Sequence, residues 1–309
     1  MRLLALVLIG TLLGCSTDRQ PGSLFGAVAE SEIVVDATLI VGQQLSDVFV
    51  RRTQDPGQSY TRALAAVTDA AVAMVQNDQI YSYRADPDSA GRYLPPTAAP
   101  QVEPEAEYEL LVYLDDTVIR ARTITPPPLH LREVVLLDED AESVLRRLKT
   151  FAELGDGVYA APENQLVYPQ GVIEMRLDRS AVPAYQLALF SLDPDSEFLV
   201  DSDILEDDDI DDFERQGSSP PLDVGTGKVR LPWFAVGFAG RYLVKIYAVD
   251  QNWFDYARSN RASDGPAFGG LAGDNFERPI FNVEGGIGLF GSAAVDSVGF
   301  FVLPRTGNL

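Results

Sequence analysis

Apolar residues recur at every second position through much of this chain, the spacing that sends alternate side chains to opposite faces of a strand. Tyr108, Leu110, Val112 and Leu114 share one face of the segment Tyr108–Arg122 in this way. Ile33–Val41 is an almost continuous apolar run, and Val48–Val50 follows after Gly42 and a polar turn. Val72–Val75 and Ile80–Tyr83 flank Gln76–Gln79, where Asn77-Asp78 suits a hairpin. Further strands are predicted at Leu129–Leu137, at the alternating Ile173, Met175 and Leu177, and at Tyr185–Phe190, Phe234–Phe238, Arg241–Val249 and Val298–Leu303. One stretch has a helical period: Val144, Leu145, Leu148, Phe151 and Leu154 predict a helix from about Asp140 to Leu154. Asp140 would cap its start and Gly155 lies just past its end. The apolar stretch Leu231–Val249 is interrupted by Arg241 and Lys245, so it reads as a strand pair bending near Gly237 and Gly240 rather than a membrane span.

This pattern predicts a mainly β chain. Closely spaced strands with Gly, Pro and Asp turns point to an immunoglobulin-like or transthyretin-like sandwich over residues 32–125. Pro126, Pro127 and Pro128 cannot donate to a sheet and stiffen the chain, which places a domain boundary there. Residues 129–309 are then expected to form a larger β domain with one short helix.

The N-terminal stretch has a different character. Arg2 precedes Leu3–Leu13, which is apolar apart from Gly10 and Thr11 and ends in Leu12-Leu13-Gly14-Cys15. A spanning helix needs about twenty apolar residues, and this run is about half that length. Residues 1–14 read as a secretory signal whose cleavage site has the form of a bacterial lipobox. Cys15, the only cysteine, is the expected lipid attachment residue, and several acyl chains hold a protein durably on a bilayer. Residues 15–31, with Pro21 and Gly22, make a plausible lipidated tether. Ser16 stands where an aspartate would signal retention in an inner membrane, so the outer membrane is the expected location. Ser16-Thr17-Asp18-Arg19 leaves the periplasmic and cell-surface faces both open.

With Cys15 lipidated no disulfide can form, so stability must come from packing. The formal net charge of −22 repels nucleic acid and anionic headgroups and attracts divalent cations and basic partners. Lys149, Lys228 and Lys245 are the only lysines, against twenty-one arginines. A GC-rich genome accounts for the arginines. The acidic excess suits a halophile, because salt screens the self-repulsion of such a surface. On that reading the charge describes habitat rather than activity.

Candidate chemistry is sparse. The run Asp201–Asp212 is the densest in carboxylates, and calcium favours such clusters, but its spacing is not an EF-hand. It reads first as a solvated loop and otherwise as a calcium site. Gly286-Ile287-Gly288-Leu289-Phe290-Gly291 has the letters G-x-G-x-x-G, yet Val295–Leu303 after it looks like a strand where a dinucleotide site needs a helix. Its glycines are expected to allow a bend or close strand approach, laying Val298–Leu303 against the second core. His130 is the only histidine and is expected at a strand edge. No serine lies in G-x-S-x-G or three residues before a lysine, and one histidine cannot build a His-rich zinc site. Trp233, Trp253, Phe254 and Tyr256 could stack on sugars or belong to the core. The sequence therefore assigns no catalytic, cofactor-binding or metal residue.

Asn252-Trp253-Phe254-Asp255-Tyr256 followed by Arg278-Pro279-Ile280-Phe281-Asn282-Val283-Glu284-Gly285-Gly286-Ile287-Gly288-Leu289-Phe290-Gly291 resembles the closing signature of a family of uncharacterised Bacteroidota cell-envelope lipoproteins. In that family an aromatic segment precedes a proline and an Asn-Ile-x-Gly-Gly-hydrophobic-Gly-hydrophobic-Phe-Gly run. Ile33–Leu39, Asp69–Val72 and Tyr108–Val112 are similar to its earlier strands. Val283 stands where isoleucine is commoner, and the acidic loop near Asp207 departs as a local elaboration. The family is a domain of unknown function whose members are often encoded beside TonB-dependent receptors. The resemblance implies cell-envelope placement and a possible receptor partner, and it transfers no catalytic residue. Three function classes follow: a non-enzymatic accessory or ligand-binding partner of such a receptor, which is favoured; a calcium-dependent carbohydrate-binding module; and a carboxylate-based hydrolase.

Overall fold

The computed structural model describes residues 31–55, 59–178, 181–200, 214–222, 225–260 and 279–305. It is mainly β, with 48% strand in three sheets and, among the described residues, one helix of seven residues or more. Among the described residues no helix is long and apolar enough to cross a membrane.

The first sheet runs through the whole molecule. Its backbone is β1 (Ile33–Ile40), β2 (Val48–Arg52), β5 (Arg84–Ala85), β6 (Arg92–Leu94), β13 (Ala184–Ser191), β14 (Gln216–Ser218), β16 (Gly240–Val249) and β18 (Ile287–Val302), in the order β14-β13-β16-β18-β1-β2-β6-β5. A two-residue strand, β11 (Gln165–Leu166), also pairs with β18. A second sheet joins β17 (Val283–Glu284), β8 (Thr117–Ile124), β7 (Glu107–Leu114), β3 (Ala71–Gln76) and β4 (Gln79–Ser82). A third joins β10 (Val144–Leu148), β9 (Leu131–Leu137), β12 (Val172–Leu177) and β15 (Lys228–Leu231).

Two apolar cores fill this arrangement, one against each end of the long sheet. Val35, Leu39 and Val50 meet Met74, Tyr108, Leu110, Val112 and Ile119 in the first. The alternation of Tyr108, Leu110, Val112 and Leu114 is fully inward, as period two requires. Asn77 and Asp78 have φ of 48° and 64°, the positive pair of a tight hairpin turn between β3 and β4. The second core packs Val134, Leu136, Ile173, Met175 and Val229 against Leu187, Val244, Ile246, Val298 and Phe300.

The triple proline lies between the segments that build the two cores, yet the sheet crosses it. Residues 287–293 of β18 pair parallel with β1, and residues 293–302 pair antiparallel with β16. Phe290 accordingly belongs to the first core, and Val298, Phe300 and Val302 to the second.

Three local expectations are corrected. The helix predicted over 140–154 is a hairpin strand followed by a single helical turn. The Asp138 carboxylate accepts from the Glu142 and Ser143 amides, folding a turn that returns the chain as β10 against β9. Val144 and Leu145, two of the residues that set the helical period, are 51% and 61% exposed. Only Phe151–Leu154 is helical, started by Thr150, whose amide donates to Glu153 Oε2 at 2.9 Å. Phe234–Phe238 is not a strand: Pro232 leads into a 3-10 turn at Trp233–Ala235, and Phe238 makes one isolated bridge to Phe198. Leu231–Val249 is no hairpin either, since β15 and β16 belong to different sheets.

Candidate functional site

The third sheet turns its apolar face to the core and an ordered set of charges outward. On β12, Ile173 and Met175 point inward while Glu174 and Arg176 take the other face. The register sets Arg176 opposite Glu133 of β9 on one side and Lys228 of β15 on the other, with Glu174 opposite Arg230. The opposite charges of Arg176 with Glu133 and of Glu174 with Arg230 stabilise the pairing, while Arg176 and Lys228 are like charges that share Glu174. Arg176 donates from Nε to Glu174 at 2.9 Å and from Nη1 to Glu133 at 2.8 Å. Arg230 Nε reaches the other Glu174 oxygen at 3.2 Å, and Lys228 Nζ stands 3.9 Å from Glu174. Arg147 Nη1 pairs with Glu153 at 2.9 Å, and Arg132 Nε lies 3.2 Å from Asp178.

Glu174 anchors this lattice, with a side chain only 1% exposed. Burial alone would raise its pKa, but hydrogen bonds from Arg176 and Arg230 and the charge of Lys228 outweigh it and hold the carboxyl below the usual glutamate range. Glu174 therefore stays ionised and fixes the cations around it. Beside it opens a cavity of about 710 Å³, lined by Arg132, Glu133, Arg147, Arg176, Leu177 and Lys228 together with the Thr226-Gly227 turn. Four cations and one carboxylate face this space in a chain of net charge −22. Such a surface can hold an anion by bidentate contacts.

A second, smaller cavity of about 330 Å³ lies where the second sheet meets the helix Gln251–Ser259. Asp250 caps that helix, its Oδ1 accepting from the Trp253 amide at 2.8 Å. Its Oδ2 accepts from the Thr123 hydroxyl at 2.5 Å, and Thr123 lies 2.7 Å from the Ser292 hydroxyl. Burial pushes the Asp250 carboxyl above the usual aspartate range, although the Thr123 and Trp253 hydrogen bonds oppose this. Both carboxylate oxygens have protein partners, so this group joins β8, β18 and the helix rather than presenting a free acid.

The residues singled out from sequence fall in several places. Cys15 and the run Asp201–Asp212 lie outside the described residues. His130 immediately precedes β9, exposed, its carbonyl accepting from the Asp178 amide. Trp233 and Trp253 are partly buried, their indole N–H groups donating to the Gly171 carbonyl and to Gln186 Oε1. Phe254 packs with Trp253 against a small apolar cluster, and the Tyr256 ring lies 6.2 Å from that of Phe281. Among the described residues no group of three or more His, Cys, Asp or Glu is placed to hold a metal ion. After Gly286-Ile287-Gly288 the chain continues as β18, so the glycine run is the start of a strand. Gly288 has φ of 123°, and a Cβ there would lie 2.1 Å from the Val35 carbonyl oxygen, so only glycine permits this parallel pairing.

Sequence reading overlooked the arginine lattice. Its signal was present in three short strands with charges at period two: Glu133 beside Val134, Glu174 and Arg176 around Met175, and Lys228 and Arg230 around Val229.

Comparison with known families decides the affiliation. The model of a domain of unknown function, DUF4249, matches residues 26–298. The chain belongs to the DUF4249 family. That match takes in most of both cores and the residues of the arginine lattice, and stops within β18. No curated protein matches the chain. Among solved structures, one giving insight into host cell surface retention of a 1.5-MDa bacterial ice-binding adhesin is similar over 89% of this chain. The chain covers 65% of that structure's length at 9% identity, and the TM-score is 0.21, too low to bear on fold or function.

Proposed function

We propose that this DUF4249 chain is a non-enzymatic accessory or ligand-binding protein, lipid-anchored at Cys15 to the outer membrane and working beside a TonB-dependent receptor. The lipobox Leu12-Leu13-Gly14-Cys15 supports the anchor, standing shortly before the family domain that starts at residue 26. The observation that carries the binding reading is the open cavity of about 710 Å³ on the third sheet, with Arg176 held by Glu174, Arg147 by Glu153 and Arg132 by Asp178. The resemblance to Bacteroidota envelope lipoproteins supports the receptor as partner. In the test, native protein is solubilised from membranes and whatever co-purifies is identified. A receptor barrel is the expected companion, and a reproducible sole monomer would count against the partnership. Changing Cys15 to Ser should release the protein into buffer washes; a variant that stays on the membrane after signal cleavage would place the anchor elsewhere.

The Asp201–Asp212 run favours a second reading, a calcium-dependent carbohydrate-binding module. A thermal-shift titration with calcium separates the two. Calcium at a hundred times its dissociation constant would add about 2.7 kcal/mol of stability. A melting temperature indifferent to calcium would remove this reading. The third reading, a carboxylate-based hydrolase, would be favoured by glycan turnover that falls when one Asp or Glu is replaced.

A further inference from the structure

Among the described residues, the lining of the cavity on the outer face of β10-β9-β12-β15 holds four cations to one carboxylate in a chain of net charge −22, with Asp178, Glu153 and Glu174 pairing those cations from outside the lining. We infer that the cavity is the binding site for a small polyanion, a ligand carrying two or more carboxylate or phosphate groups. This names the ligand class of the binding reading above and rests on it.

The charges define the ligand. Arg132, Arg147, Arg176 and Lys228 line the space, while Glu133 is the one carboxylate among the described residues of the lining and already accepts from Arg176 at 2.8 Å; Arg132 and Arg147 each also pair with one carboxylate outside it. Arg176 engages Glu174 and Glu133 through Nε and Nη1, which leaves Nη2 for a ligand oxygen. Lys228 Nζ, 3.9 Å from Glu174, has charge attraction but no hydrogen bond from it. Arg176 is held by Glu174 and Glu133, Arg147 by Glu153 and Arg132 by Asp178, so little conformational freedom is lost when an anion arrives.

The surroundings define it further. The acidic surface repels anions at long range, the more so the more charge they carry, so affinity must come from contacts inside the site. A ligand with several anionic groups gains from several cations at once, at distances where screening is weak. About 710 Å³ lies within the range of small-molecule sites. Among the described residues Leu177 is the one apolar side chain in the lining, so the ligand's anchoring groups are the surrounding charges.

Calorimetric titration of the full-length, detergent-solubilised protein with citrate, inorganic pyrophosphate and maltose at low salt tests this. Citrate represents the carboxylate source and pyrophosphate the phosphate source. Saturable binding of at least one is expected, weakening as salt rises, with none for maltose. Arg132→Gln combined with Lys228→Gln, at side chains 68% and 54% exposed, should weaken binding about tenfold or more while the protein still unfolds cooperatively. Lys228→Arg in the otherwise unchanged protein should retain it. Arg62→Gln, on an exposed residue of another part of the chain, should have no effect. Folded protein that binds neither anion, or an equal loss from Arg62→Gln, would overturn the proposal. A negative titration alongside a co-purifying receptor would remove the polyanion and leave the accessory role standing.

Discussion

Asn282 and Phe290 imitate a strand pair with one side chain. Asn282 Nδ2 donates to the Phe290 carbonyl at 2.8 Å, and Asn282 Oδ1 accepts from the Phe290 amide at 3.0 Å. Asn252 adds a second donor to the same carbonyl at 3.2 Å, and both asparagines also donate to the Arg122 carbonyl of β8. β16 ends at Val249, so this edge of β18 has no neighbouring strand in its first half. Two amides close it instead. Asn282→Ala removes both bonds to Phe290; the carbonyl keeps Asn252 but the buried amide is left unpaired, which should destabilise the protein by about 1–3 kcal/mol. Urea unfolding measures this, and a loss under half a kilocalorie would show that water replaces the amide freely.

Gly288→Ala should also be costly. Its positive φ alone penalises a side chain by about 1–3 kcal/mol, and the new Cβ must push β1 away at Val35. Gly42 provides the control, with φ of 78° and nothing within 4 Å of the place an added Cβ would take. Gly42→Ala should cost the backbone share only. Equal unfolding midpoints for the two variants would refute the close approach of β18 to β1.

Asp250 sets a dependence on pH. Its folded pKa is raised, so the folded protein holds this proton more tightly than the unfolded chain. The protein therefore loses stability as pH rises from the ordinary aspartate value through the folded one. Asp250→Asn keeps an oxygen for the Trp253 amide and removes the titration. Unfolding free energies of parent and variant, compared between pH 4 and pH 7, should diverge in the variant's favour as pH rises. Parallel curves would contradict the shift.

Glu174 has the opposite sign. Its lowered pKa contributes stability that is present above the ordinary glutamate value and is lost as pH falls through the folded one. Glu174→Gln should cost about 1.5–3 kcal/mol at neutral pH, the value of hydrogen bonds to a charged group. The deficit should shrink on acidification. A variant as stable as the parent at pH 7 would mean that the lattice is held by Glu133 alone.

Sequence periodicity located the strands with one buried face, because an error of one residue there would turn Tyr108, Leu110 and Val112 outward. It failed where the sheet supplies the energy and the segment itself does not. Val144, Leu145, Leu148, Phe151 and Leu154 fit one helical stripe, but Asp138 folds the turn and β9 supplies the partner, neither visible in the stripe. The observed helix had its cue in Asp250, an N-cap ahead of Gln251–Ser259, yet the aromatic residues there drew attention as a motif. The cavity was hidden for a related reason. Its cations come from β9, β10, β12 and β15, which are far apart in sequence and are brought together only by strand order.

The placement of β18 dictates when this protein can fold. Val34 finds its partner Ile287 about 250 residues later, and such distant pairing is paid for in loop entropy before any contact repays it, which makes folding slow. A nascent chain leaving the ribosome, or emerging from a membrane pore, presents β1 long before the strand that joins it to β16 exists. Both cores stay incomplete on that side until Ile287–Val302 arrives. The apolar edges exposed in the meantime are the period in which a chaperone would be needed most.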